Sequence, residues 1–172
     1  MVLERYFLTT MLTAGGIFME ILKAGLEDAA EILELQYRSY QSEAEIYNDY
    51  SIQPLTQSLN ELKEELKRQL VLKAVVSGKI VGSVRAYQEN QVCKIGKLIV
   101  HPDHQNAGIG TMLLHAIEQQ FGSCRRYELF TGEKSLKNLY LYAKLGFKPY
   151  KKAEIDRHLT IIYLEKERKY ES

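Results

Sequence analysis

The chain has 172 residues, of which 26% are charged, and a formal net charge of +1. That length suits one ordinary domain with a sizeable core, and balanced charge without a long basic run argues against a nucleic-acid or other polyanion partner. Two cysteines with no Cys-x-x-Cys pair, and four histidines outside any recognised metal spacing, point to no disulfide framework and no metal; a reducing, cytoplasmic setting is expected.

No apolar run approaches the ~20 residues of a membrane span, so no membrane association is expected. Residues 1–18 carry one early arginine, Arg5, and then an apolar stretch to Leu12. A secretory signal would begin more basic and end in an Ala-x-Ala-like site. This segment is expected to be an extension ahead of the domain: a leader, an extra short strand, or a partner contact. Ile17 to Leu22 predicts a strand, broken at Ala24-Gly25. From Leu26 to Tyr40 the apolar residues Leu26, Ala29, Ala30, Leu33, Tyr37 and Tyr40 share one helical face, with Glu27, Asp28 and Glu31 favouring the dipole at its start. Tyr40 to Pro54 is polar and tyrosine-rich and predicts a loop. Leu55, Leu59, Leu62, Leu66 and Leu70 then recur at helical spacing. Ser58 with Glu61 forms a potential capping box, giving a helix over Thr56 to Arg68.

Three strands follow, over residues 71–76, 79–88 and 91–100, with turn signals at Ser77-Gly78 and Glu89-Asn90. A helix is predicted from Gly108 to Phe121, a strand from Arg125 to Thr131, and a helix from Ser135 to Leu145 with Gly146 as its C′ residue. Residues 148–155 and 159–165 predict a closing pair of strands. The order of elements gives one α/β domain, residues 19–166, followed by a charged tail, 167–172.

The third strand ends in Leu98-Ile99-Val100, then a proline-marked turn, then Gln105-Asn106-Ala107-Gly108-Ile109-Gly110 at the start of the next helix. The first amides of a helix lack intrahelical acceptors and the dipole makes them partly positive, so a glycine loop there suits a pyrophosphate. The spacing is not that of a dinucleotide loop or a P-loop. A second notable stretch, Phe130 to Phe147, ends in Tyr142-Ala143-Lys144-Leu145-Gly146-Phe147.

The first stretch resembles motif A of the GNAT superfamily of acyl-CoA-dependent N-acetyltransferases, whose pattern is Gln/Arg-x-x-Gly-x-Gly/Ala. The second is similar to that family's motif B. The resemblance covers residues 19–166. It implies a mixed, mostly antiparallel sheet of six to seven strands flanked by about four helices. It also implies transfer of an acetyl group from acetyl-CoA to a primary amine on a small molecule or peptide, and a possible homodimer. Carried over residue by residue, Gln105, Asn106, Ala107, Gly108, Ile109, Gly110 and Thr111 would hold the pyrophosphate. Leu98, Ile99 and Val100 would line the slot for the pantetheine arm and bond it through their backbone groups, and Asn138 would also contact it. Tyr142 would be the general acid for the leaving thiolate, as a phenol protonated at neutral pH; Tyr140 is the weaker alternative. Many relatives carry a basic glutamate on the strand before the loop. Here that strand reads Lys94-Ile95-Gly96-Lys97-Leu98, so Glu128 or a carboxylate of the Glu43–Asp49 segment is left for the role. The same departure leaves a non-catalytic acyl-CoA-binding or regulatory module as the alternative.

Overall fold

The computed structural model describes residues 8–13 and 17–169. Its strands are β1 (Leu8–Thr13), β2 (Ile17–Lys23), β3 (Leu70–Val76), β4 (Lys79–Glu89), β5 (Val92–Val100), β6 (Arg126–Gly132), β7 (Lys148–Glu154) and β8 (Thr160–Glu167). They form one sheet in the order β1-β2-β3-β4-β5-β6-β8-β7. Every neighbouring pair is antiparallel except β5 and β6. The helices are α1 (Ala29–Ser39), α2 (Gln41–Tyr47), α3 (Gln53–Thr56), α4 (Leu59–Arg68), α5 (Ile109–Gln120) and α6 (Leu136–Lys144).

Two cores explain why the central strands are apolar on both faces. On one side of the sheet, Leu113, Leu114 and Ile117 of α5 pack with Leu72, Val84, Tyr127 and Phe147. On the other, Ile32 and Leu35 of α1 and Leu62 of α4 pack with Val71, Ile80 and Ile99. The sheet is the middle of three layers, as a strand buried on both faces demands.

β5 and β6 stay together for only three pairs, Val92 with Arg126, Cys93 with Tyr127 and Lys94 with Glu128. Beyond them β5 runs on to Val100 and β6 to Gly132 without pairing. A bulge shifts the β4–β5 register between Ser83 and Arg85. It falls at Lys97, whose φ is 43°.

The structure corrects several expectations. The sheet has the expected mixed, mostly antiparallel form, and its eighth strand is the extra short strand that is one expectation for the N-terminal extension: residues 8–13 pair with β2, Met11 opposite Met19. Residues 1–7 and 14–16 of that extension lie outside the described residues. The expected loop over Tyr40–Pro54 contains α2, which buries Ala44 completely and ends at Asn48 in the left-handed conformation. With α3 as well, six helices replace the four expected. The helix predicted from Thr56 begins at Leu59, because Ser58 is its N-cap: Ser58 Oγ accepts from the Glu61 amide at 3.2 Å and Glu61 accepts from the Ser58 amide at 2.7 Å.

The end of α6 is held by a Schellman motif. The Phe147 amide donates to the Tyr142 carbonyl at 3.0 Å and the Gly146 amide to the Ala143 carbonyl at 3.1 Å. The Phe147 ring meets the Tyr142 ring, 6.1 Å between centroids, as the apolar contact of that motif. Gly146 has φ of 92°, which side-chain-bearing residues resist. Gly146→Ala is therefore expected to destabilise the fold by about 1 kcal/mol, measured as a lowered urea midpoint with an unchanged m value.

Candidate active site

The loop that joins β5 to α5 is built by two residues with positive φ, Asn106 at 62° and Gly108 at 80°. Gly108 is the N-cap of α5 and brings no side-chain acceptor, so the first amides of the helix point outward uncapped. Gly110 allows the helix start to sit against its neighbours: a Cβ there would lie 3.3 Å from Leu141 of α6 and 3.7 Å from Leu98 of β5. Uncapped amides at the positive end of a helix, with no side chain above them, form an anion site that fits a pyrophosphate. Gln105, Asn106, Gly108, Ile109, Gly110 and Thr111 all line one cleft of about 1800 Å³. Ala107, expected among them, does not; it is exposed at the outer bend of the loop. The Ile109 side chain is buried in the core, so only its backbone is available.

The cleft continues into the gap between β5 and β6, lined by Leu98, Ile99 and Val100. The three residues offer different groups. The His101 amide bonds to the Val81 carbonyl at 2.8 Å. Alternation along an antiparallel pair then turns the backbone of Ile99 toward Ser83 on β4 and that of Val100 toward the gap. The Val100 carbonyl is reached there by Ser39 Oγ at 3.3 Å and Gln105 Nε2 at 3.4 Å. Ile99, expected to bond an arm in the gap through its backbone, is engaged by β4 instead, and its side chain is buried under α1. Asn138 lines the cleft from α6 and donates to Thr131 Oγ1 at 3.2 Å.

Tyr142 lies at the inner end of this gap, 6% exposed, with no protein hydrogen bond to its phenol among the described residues. Burial, reinforced by Tyr40 and Glu43, pushes its pKa far above the ordinary phenol range. Tyr40, at the end of α1, is pushed up to about 12, mainly by burial, against the opposing charge of Arg85. Glu43 accepts from Ser135 Oγ at 2.5 Å, and the Tyr47 phenol accepts from the Lys134 amide at 3.0 Å and lies 3.0 Å from Ser135 Oγ. Gly132 leaves room for that phenol; a Cβ there would overlap it. Thus α2 is fastened to the start of α6, and Ser135 serves that junction with no cap bond to its own helix. Tyr140 is 74% exposed on α6, unlike Tyr142.

Of the two carboxylate sources proposed for a base, Glu128 is ion-paired with Lys94 and with Arg126, the latter at 2.6 Å. Burial pushes its pKa up, but Lys94 and Arg126 outweigh burial and hold it below the usual range. It is a poor proton acceptor. Glu43 acts electrostatically on both Tyr40 and Tyr142 and, among the described residues, accepts one hydrogen bond, from Ser135.

A buried polar network lies behind the bulge. Arg85, 2% exposed, donates to Glu65 Oε2 at 2.6 Å, Gln36 Oε1 at 2.5 Å and Gln57 Oε1 at 3.3 Å. Lys97 joins it, 3.3 Å from both Glu65 Oε1 and Gln57 Oε1. Sequence reasoning passed over this network. Its signals were a glutamine, Gln36, within the apolar face of the first helix, and an arginine, Arg85, inside an apolar strand.

A profile of the acetyltransferase (GNAT) family matches residues 27–147. The chain belongs to the GNAT acetyltransferase family. A curated relative, the UPF0157 protein YqkA of Bacillus subtilis, is 28% identical over 145 residues. That match takes in 83% of this chain but 42% of YqkA, so the chain spans less than half of that relative's length. Among solved structures, the PaiA N-acetyltransferase of Thermoplasma acidophilum in complex with coenzyme A matches with a TM-score of 0.74 and 20% identity, over 87% of this chain and 99% of that one. YncA of Salmonella typhimurium, a structure with acetyl-CoA, matches with a TM-score of 0.70 and 17% identity, over 90% and 96%. These structural likenesses show the fold.

Burial raises the Glu65 pKa, but Arg85 and Lys97 outweigh burial and hold it below its ordinary 4.5. A carboxylate whose pKa is depressed on folding contributes stability above its unfolded pKa and loses that contribution as pH falls through the folded value. Glu65→Gln is therefore expected to cost ~2 kcal/mol at pH 7, less than at a fully buried pair because Glu65 is 21% exposed. It should also flatten the loss of stability below about pH 4.5. Urea titrations of both proteins across pH check the sign.

Proposed function

We propose that this protein transfers the acetyl group of acetyl-CoA to a primary amine. The observation that carries the proposal is the continuity of one cleft, from the uncapped amides of α5, along the parted edge of β5, to the unpaired phenol of Tyr142. Coenzyme A in the related PaiA structure, and acetyl-CoA in that of YncA, support the choice of donor. A cytoplasmic setting accords with it, and no helix among the described residues is long and apolar enough to cross a membrane.

Acetyl-CoA supplies the acetyl group as a thioester. The amides of residues 108–111 face its pyrophosphate, and the glycines keep side chains out of the way. Val100 offers its backbone to the arm inside the gap, and Asn138 flanks it. A backbone N–H on the gap side of β5 polarises the thioester carbonyl as negative charge develops on the oxygen. The amine attacks that carbon and the C–S bond breaks. Tyr142 gives its proton to the departing sulfur, and the high pKa of the phenol keeps it protonated until then. The proton lost by the amine passes through water to Glu43, a carboxylate that acts electrostatically on both phenols and makes no ion pair among the described residues.

One feature favours a second reading, a non-catalytic acyl-CoA-binding module: residues 94–98 of β5 carry no carboxylate. Coenzyme A affinity with no thiol released from acetyl-CoA in the presence of a broad panel of amines would establish it.

Calorimetric titration with acetyl-CoA, with ATP and NAD as controls, comes first. Selective micromolar binding is expected; none, in protein shown to be folded, sinks the proposal. Tyr142→Phe is expected to lower kcat by about a hundredfold with little change in the KM for acetyl-CoA, read as free thiol release. Because the Tyr142 pKa is raised, wild-type kcat should show no falling limb from this group up to its ordinary value of 10.0.

A further inference from the structure

The four N-terminal helices roof only part of their side of the sheet. Strand register carries two rows of side chains out from under them. One is Tyr87, Lys94, Glu128 and Glu165, across β4, β5, β6 and β8. The next is Phe130, Tyr163 and Lys151, across β6, β8 and β7. The charges in the first row are answered locally: Lys94 and Arg126 pair with Glu128, and Arg126 lies 3.5 Å from Glu165. Aromatic surface remains. Phe130 is 58% exposed and Tyr150 43%. Both flank Tyr163, with centroids 5.7 Å and 6.3 Å away and ring planes tilted by 45° and 57°. Lys151 Nζ sits 5.1 Å from the Tyr163 centroid.

This patch is continuous with the reaction cleft, which Phe130, Tyr150, Lys151 and Tyr163 all line. Phe130 comes two residues after Glu128, the last β6 residue paired with β5, so it stands at the mouth of the gap. Its neighbour Thr131 holds Asn138 inside that gap. Exposed tilted rings such as Phe130 and Tyr150 favour another ring over an aliphatic chain of equal area, through edge-to-face and offset contacts.

We infer that Phe130, Tyr150 and Tyr163 form an acceptor subsite for an amine carried on an aromatic ring, an arylalkylamine. The ring lies on the three aromatic side chains and the amine reaches into the gap. Assigning the occupant as an acceptor rests on the acetyl-transfer reading.

The test measures binding and turnover separately. Calorimetry compares 2-phenylethylamine with hexylamine, similar in length and amine pKa, on protein saturated with coenzyme A. About tenfold tighter binding of the aromatic amine is expected. Phe130→Leu, which keeps apolar volume without the ring, should abolish the preference, and Phe130→Tyr should retain it; Phe130 is exposed enough for both variants to fold. Equal affinities in the wild type, a preference surviving in Phe130→Leu, or no binding of either amine overturns the subsite. So does sedimentation showing the patch covered by a second copy, with self-association weakened by Phe130→Leu. Thiol release from acetyl-CoA with the same amines separates the two claims: selective binding without release defeats acetyl transfer and with it the acceptor role, leaving an arylalkylamine-binding site, whereas release without selectivity leaves acetyl transfer and defeats the subsite.

Discussion

Two parallel strands that pair for three residues and then diverge create a problem for the backbone. Each residue past the divergence has an N–H and a C=O that need partners. In this protein, divergence of β5 from β6 after Lys94 and Glu128 organises everything around it. α5 begins one loop after β5 ends, α6 also lines the cleft, and the exposed backbone edge of β5 offers an extended ligand the sheet's hydrogen bonding inside the cleft. The Val100 carbonyl already draws donors from Ser39 and Gln105 across the opening.

Parting strands would close by sliding together unless something held them. The bulge at Lys97 diverts β5, and the Arg85 network braces the bulge from below. One guanidinium ties α1 through Gln36, the segment before α4 through Gln57, and α4 itself through Glu65. Burying such a group is costly, and although Nε has no partner among the described residues, the bonds of Nη1 and Nη2 favour this arrangement of helices over the strand. The Arg85 charge also acts on Tyr40, which in turn acts electrostatically on Tyr142. The donor side and the helical roof are thereby coupled through named side chains.

Much of this was legible in the sequence because local rules and tertiary packing agreed. The glycine loop, the Ser58 capping box and Gly146 are cases where one residue type satisfies one backbone need, and each stands where its spacing placed it. The segment after Tyr40 was misread because its helix is short and polar outside; Ala44 and the reach of Tyr47 to residues 134 and 135, far along the chain, stabilise it. Long-range contacts of that kind leave no periodicity. The role of Ile99 was misjudged for another reason: the direction of a strand's hydrogen bonds depends on register, which a bulge resets and composition does not record.

The far edge of the sheet carries its own consequence. β7 is paired on one side only, and its residues are exposed apart from Ala153. Such an edge is a template for unwanted strand addition. Here it bears Lys148, Lys151 and Lys152, and Pro149, which has no N–H to offer. A second copy aligning its own β7 would bring lysine against lysine and meet a gap in the ladder. The strand that helps wall the cleft therefore also guards the molecule's solubility, leaving its aromatic neighbours exposed on the face without inviting the edge to polymerise.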